Sequence, residues 1–340
     1  MNRKFSTVFN YLAVISSAVL LSACGGGSGS DTGDLSVDVT DLPVTEDVDV
    51  CIHFTGITLH HSDGDLIQIP YDPSTYTDAS ACIDNLPSDD PLSANNTVNL
   101  SALQGELSVP LMDSQQVKAG RYNWIRLDVD ESLSYVMDSE GQKELRCPSC
   151  DGEQSGLKLN RGIVVPAGGE AKFMIDIELA KSLNKEPSGN YRLRPTLRLV
   201  DLAETGKITG IVEASLIPEM ISETDTGCKV YVYSGHDVVP DDYHDADNVL
   251  TSAKVLYDMD SDSFEYLAAF LPTDSTAEPT PHTVALTCDI EDMEIDQNND
   301  PLNLTGDDVI FTDGEINGVG QNADVETNQT TVVDFPPPTT

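Results

Sequence analysis

The sequence predicts an all-β protein. Two β-sandwich domains, residues 35–202 and 207–335, follow a lipoprotein signal peptide (1–23) and a Gly/Ser tether (24–34), and a short disordered tail closes the chain at 336–340. Three observations carry this reading. Apolar residues recur at every second position in the hydrophobic stretches, the period of a half-buried strand. No long stretch shows the 3.6-residue period of an amphipathic helix. Of the seven cysteines, six remain once Cys24 at the end of the signal is set aside, an even number that suits a disulfide-stapled exported chain.

The signal comes first in chain order. Arg3 and Lys4 precede an uncharged stretch, residues 5–22, in which Ser6, Thr7, Asn10, Ser16 and Ser17 interrupt the apolar residues, so it serves better for export than as a permanent span. It ends in Leu21-Ser22-Ala23-Cys24. Small residues before a cysteine fit a lipoprotein peptidase: the Cys24 thiol carries a diacylglyceryl group, and cleavage frees its amine for a further palmitate-type acyl chain. Two or three chains hold a protein on a bilayer where one is marginal. Gly25, not Asp, follows the cysteine, the pattern of bacterial lipoproteins sent to the outer membrane. The Gly- and Ser-rich stretch after it gives a typical reach of roughly 17 Å, so the membrane is the first expected partner.

Cys51, Cys82, Cys147, Cys150, Cys228 and Cys288 allow 15 connectivities. Pairing sequence neighbours within one domain gives Cys51 with Cys82, Cys147 with Cys150 and Cys228 with Cys288. Cys147-Pro148-Ser149-Cys150 also has the spacing of a redox dithiol or half a zinc site. A redox thiol wants a helix N-terminus and zinc wants two more ligands; the surrounding sequence offers neither, so a structural clip is expected.

The strands read as follows. From Val48 to Phe54 the apolar residues fall on even positions, and after Thr55-Gly56 they move to the odd positions Ile57 and Leu59. A phase change at a glycine predicts a β-bulge. Further strands are expected at 124–130, 163–165, 171–179 and 191–200. In the last, Arg192, Arg194 and Arg198 form a row that binds an anion or, more simply, pairs with carboxylates such as Asp176, Glu178, Asp128 and Asp130 on neighbouring strands. Pro195 suits an edge or a bulge.

Charge is distributed unevenly. With 18 Lys and Arg against 58 Asp and Glu the formal charge is −40. Residues 31–117 hold 16 acidic and no basic residues, 118–207 hold fourteen of each, and 208–340 hold twenty-eight acidic residues against Lys229 and Lys254. No cationic stripe is available to neutralise phosphates, which excludes nucleic acid as a partner. The acidic flanks suggest either solvation or calcium. Asp296, Asn298, Asp300 and Asp307 approach a twelve-residue oxygen-ligand loop, although Pro301 stands where its glycine belongs; Asp258, Asp260 and Asp262 alternate, but Ala269 replaces the closing acid. No other cofactor is expected.

The segments 37–44, 98–105, 118–130, 155–183 and 189–201, in that order and spacing, resemble the bacterial lipoprotein family known as domain of unknown function DUF4382 over most of residues 34–202. The resemblance implies an all-β envelope domain with no catalytic residues to carry over. Segments 207–217, 228–235, 263–272, 282–288 and 329–335 resemble the prealbumin-like, carboxypeptidase-regulatory-like modules appended to bacterial surface proteins.

Catalytic signatures are missing from the sequence: there is no nucleophile elbow, HExxH, phosphate-binding loop or dinucleotide fingerprint. His60 and His61 with Asp63 are a weak metal set, better read as a polar strand end. Asp89-Asp90, Asp241-Asp242 and Asp307-Asp308 are adjacent acids that point apart on a strand. Trp124 either stacks a sugar or packs. The sequence therefore predicts a non-enzymatic binding, adhesion or structural module, with an envelope protein or glycan as its partner. A calcium-stabilised structural protein is the alternative, and a hydrolase or thiol redox enzyme the remote one.

Overall fold

The computed structural model describes residues 31–41, 48–71, 82, 96–103, 105–150, 156–217, 225–240, 249–274, 279–288, 309–310 and 320–335. The signal peptide, Cys24, the loop Asp296–Asp307, the three adjacent-acid pairs and the tail 336–340 lie outside these residues. Fourteen strands build the first unit: β1 (Thr32–Thr40), β2 (Asp49–His61), β3 (Leu66–Pro70), β4 (Thr97–Asn99), β5 (Val109–Lys118), β6 (Gly120–Val129), β7 (Tyr135–Asp138), β8 (Gly141–Arg146), β9 (Leu157–Leu159), β10 (Ile163–Val165), β11 (Glu170–Ile177), β12 (Leu183–Lys185), β13 (Tyr191–Leu193) and β14 (Leu197–Asp201). Eight build the second: β15 (Thr205–Val212), β16 (Asp225–Ser234), β17 (Val249–Asp258), β18 (Ser263–Pro272), β19 (Thr280–Thr287), β20 (Val309–Ile310), β21 (Gln321–Val325) and β22 (Thr330–Val332). The fold is all-β, and its α-helix, Leu179–Ser182, is a single turn.

The first unit is a sandwich. Its smaller sheet has the order β14-β11-β1-β5, and the larger runs β10-β6-β2-β7-β8-β13-β12 with β3, β4 and β9 attached. Between them lies one core: Leu35, Val37 and Val39 of β1 and Ile175 and Ile177 of β11 join Ile52, Phe54, Ile57 and Leu59 of β2 and Ile125 and Leu127 of β6. Each such side chain taken out of water contributes roughly 1.5–3 kcal/mol. The phase change read at Gly56 is a bulge: Phe54 pairs with Val129 and Gly56 with the next residue back, Asp128, leaving Thr55 extra. A Cβ on Gly56 would sit 2.4 Å from the Ile69 carbonyl oxygen, so glycine also admits β3 alongside.

Three expectations need correction. The tether ends earlier than position 34, because β1 starts at Thr32 and pairs with Lys118 of β5. Gly33, which reads as linker, is buried where a Cβ would lie 2.2 Å from the Pro166 carbonyl oxygen; its composition signals close approach and not looseness. The strand expected over 191–200 is two strands in different sheets. Pro195 has no N–H for a ladder, and the flanking Arg194 and Thr196 amides donate to the Ser182 carbonyl (2.7 Å) and hydroxyl (2.8 Å) as the chain crosses over. Leu193 and Leu199 thus enter the core from opposite layers. The strand expected over 171–179 stops at Ile177, and Leu179 begins the helical turn.

The second unit is one hydrogen-bonded sheet, β20-β19-β16-β17-β18-β15-β22, with β21 on β19. The 320–335 stretch supplies both β21, on β19 near one end of the order, and β22, on β15 at the other, so the sheet curls around its own interior. Val230, Val232, Val255, Ala268, Val284, Val325 and Phe335 share that core.

Three disulfides join Cys51 to Cys82, Cys147 to Cys150 and Cys228 to Cys288, with separations of 31, 3 and 60 residues. All six residues except Cys288 are buried. Replacing Cys228 and Cys288 together by Ser should cost about 4 kcal/mol on the chain-entropy scale, against about 2 kcal/mol for the Cys147 and Cys150 pair; urea denaturation of the oxidised protein and the two double variants measures the difference.

Candidate binding groove

The two units meet at the outer face of the smaller sheet of the first. Met174 and Asp176 of β11 and Val200 of β14 are buried there. Asp176 is held by Arg198 across the ladder, Nη2 to Oδ2 at 2.8 Å and Nε to Oδ2 at 3.1 Å, with the carboxylate 1% exposed. Thr40, Asp41, Asp176 and Arg198 face Thr251, Ser252, Ala269 and Phe270 across a cavity of about 20 Å³, room for no more than a water. The arginine row therefore splits: Arg198 fastens the inter-unit face, and Arg192 pairs with Glu186 at 2.5 Å. The carboxylate reading of the row holds in kind, with Asp176 as one of the acids it named.

Beside this contact the units leave an open groove of about 890 Å³. Leu107, in the turn before β5, forms one wall. Its carbonyl accepts from the Thr40 hydroxyl at 2.8 Å, which ties the turn to the end of β1. Leu256 and Tyr257 of β17, Met259 of the β17–β18 hairpin and Leu267 of β18 form the other. Glu106 and Lys207 bridge the two walls as an ion pair. Of the large apolar side chains exposed among the described residues, five lie on this side: Leu107 (60%), Ile211 (48%), Leu256 (44%), Met259 (70%) and Val332 (64%). The sheet aligns them, since Leu256 pairs with Glu265, Glu265 with Ile211, and Thr209, two residues before Ile211, with Val332. Scattered exposed leucines are ordinary, but several on one side of a groove, here with Glu265 set between Leu256 and Ile211, suit a binding surface.

The hairpin that carries Met259 holds its acids in local bonds. Asp258 accepts the Asp260 amide at 2.8 Å, which keeps its carboxyl below the usual range, and the Tyr257 hydroxyl donates to Asp262, which raises the phenol. The three aspartates do not converge. Among the described residues no three His, Cys, Asp or Glu side chains gather as a metal site.

The other singled-out residues are engaged elsewhere. His61 Nδ1 lies 2.7 Å from Asp63, whose carboxyl is held well below the usual range by Lys118. His60 stacks on Trp124 at 5.1 Å with planes 2° apart, and the Lys158 ammonium sits 4.2 Å from the centre of the same ring. His60 and Lys158 come from strands on opposite sides of β6, so neither face of the ring is open for a sugar. Cys147 donates its amide to Glu131 at 3.1 Å beside a second, polar cleft of about 980 Å³ lined by Asp130, Ser132, Gln142, Lys143 and Glu144.

Residues 32–195 match the model of the family described as domain of unknown function DUF4382. No curated protein matches the chain. Among solved structures, a candidate adhesin from Bacteroides ovatus is 9% identical, covering 97% of this chain and 100% of its own, with a TM-score of 0.19. A candidate cell adhesion protein from Bacteroides fragilis is 10% identical over 88% of this chain and 92% of its own, at 0.20. Superpositions this poor carry no argument about architecture or activity.

Two buried histidines set a pH dependence. His53 and His282 are 5% and 1% exposed, and burial holds both below the usual histidine range. As pH falls, the unfolded chain takes up these protons first, at about 6.5. The stability they contribute is therefore complete above that pH and is lost below it, toward their lower folded values. Moving from about pH 7.5 to about pH 5.5 should lower the urea midpoint more in the wild type than in a His53→Gln, His282→Gln double variant.

Proposed function

We propose that the chain is a non-catalytic binding or adhesion protein of the bacterial envelope, anchored in the outer membrane by acylated Cys24, with the inter-unit groove as its binding surface. Five exposed apolar side chains on one face carry the reading. The three disulfides and the export signal agree with an envelope location, and the family match over residues 32–195 agrees with a domain of the lipoprotein type. No helix among the described residues is long and apolar enough to cross a membrane; attachment in this reading is through Cys24. The second unit, in the same reading, is an appended prealbumin-like module whose outer face provides most of the groove.

The chemistry of the groove favours a protein segment over a glycan. Aliphatic Leu107, Leu256 and Met259 form its apolar surface, and Glu106, Asp258, Asp260 and Glu265 outnumber Lys207 and Lys254 at its margin. An apolar segment flanked by lysine or arginine complements both features. Replacing Leu107, Leu256 and Met259 together by Asp, in protein prepared as Cys24→Ser without acyl chains so that the anchor does not hold it, should lower its retention on isolated envelopes at least tenfold. Val239→Asp, at a residue 65% exposed outside the groove, should leave retention unchanged. Stability should shift by no more than about 0.5 kcal/mol per exposed site; equal retention of the two variants would remove the groove.

A calcium-stabilised structural role is the second reading, favoured by twenty-eight acidic residues against two lysines after position 207 and by Asp296, Asn298, Asp300 and Asp307. Millimolar calcium should then raise the melting temperature, and Asp300→Asn should abolish the rise. An unchanged midpoint leaves the acids as solvating groups.

A further inference from the structure

The start of β1 fixes which end of the molecule faces the bilayer. From Cys24 to Thr32 there are eight residues, which span at most about 29 Å however they run. A unit of this size measures roughly 40 Å across. A membrane anchor at Cys24 therefore keeps the end containing Thr32 near the lipid and cannot bring the opposite end to it.

Three turns surround Thr32 at that end. The Ala119 amide, in the β5–β6 turn, donates to the Asp31 carbonyl at 2.8 Å, and the Gly168 amide, in the β10–β11 turn, donates to the Thr32 carbonyl at 2.8 Å. The β2–β3 turn joins them through the Ser62 amide, which donates to the Arg121 carbonyl at 2.8 Å, and through Lys118, which binds Asp63 and Asp65. Two of the remaining exposed large apolar side chains sit here: Val164 of β10, 60% exposed and paired with Arg121, and Leu66 at the start of β3, 61% exposed.

Electrostatics permits the approach at this end. Elsewhere the chain is strongly acidic and an anionic leaflet repels it. Here Lys118 pairs with both Asp63 and Asp65, the exposed Arg121 guanidinium offsets the charge left over, and Lys172 meets Glu170 at 3.0 Å, so that only Asp31 and Asp34 stand without a cation in this count. The groove stands at the other end of the same strand: Thr40, which binds Leu107, is eight residues along β1, about 26 Å from Thr32.

We propose that the Thr32 end rests on the headgroup layer, with Leu66 and Val164 at headgroup depth and Arg121 against lipid phosphate, so that β1 stands as a post holding the groove away from the membrane. The inference rests on acylation at Cys24. Its test uses the full acylated chain reconstituted in phosphatidylethanolamine–phosphatidylglycerol vesicles that carry headgroup nitroxide lipids. Leu66→Cys, Val164→Cys and Met259→Cys are each labelled with a fluorophore after the three native disulfides are verified. Quenching at 66 and 164 should exceed that at 259 at least threefold, and Arg121→Glu should reduce it at both. Equal quenching at the three positions, or the strongest at 259, overturns the orientation and leaves the anchor standing. Failure of the protein to float with the vesicles, together with an unacylated N-terminus by mass spectrometry, overturns the anchor and the orientation with it.

Discussion

The insertion of β1 between β11 and β5 is the constraint on which the rest of the molecule depends. Seven consecutive residues, Asp34 to Thr40, pair in parallel with Glu170 to Asp176, while the other edge of β1 pairs antiparallel with β5. Remove this strand and the smaller sheet loses its centre, the core loses Leu35, Val37 and Val39, and the face that receives the second unit loses Thr40. One segment thus couples the sandwich and the inter-unit contact. A parallel partner far along the chain is a long-range pairing, which raises the contact order and slows folding.

Much of the architecture was legible because it rests on local rules. The side-chain shift at Gly56 reports a bulge directly, since period two leaves no other account of it. The cysteine pairs followed from proximity along the chain. Other elements were hidden by what they touch. Asp176 is legible as a carboxylate partner of the arginine row, but nothing in its own segment shows that the second unit covers it together with Met174. β17 escaped notice because Thr251 and Ala253, two of its inward positions, carry little apolar signal, and β21 presents only Ala323 and Val325 among polar residues. Gly33 read as linker because a sequence does not distinguish a glycine that frees the backbone from one that lets a carbonyl approach.

The groove was not legible at all, for a physical reason. Leu107, Ile211, Leu256, Met259 and Val332 are scattered over more than two hundred residues, and apart from Leu256 and Met259 no two of them lie close in the chain. They become one surface only when a curled sheet sets β15, β17, β18 and β22 side by side and a turn of the first unit rises next to them. Acidic side chains along the margin are a weak clue in a chain where acids are everywhere. Trp124 and the histidines, the residues that sequence inspection singles out first, have their rings occupied by His60, Lys158 and Asp63.

The hydrogen bonds of β1 also determine how the protein bears traction. They lie across the strand, so a pull applied between residue 31 and the distal unit runs along the strand and strains both ladders at once instead of peeling them open pair by pair. Rupture then requires the whole register to slide together, which spreads the load over the full length of the strand.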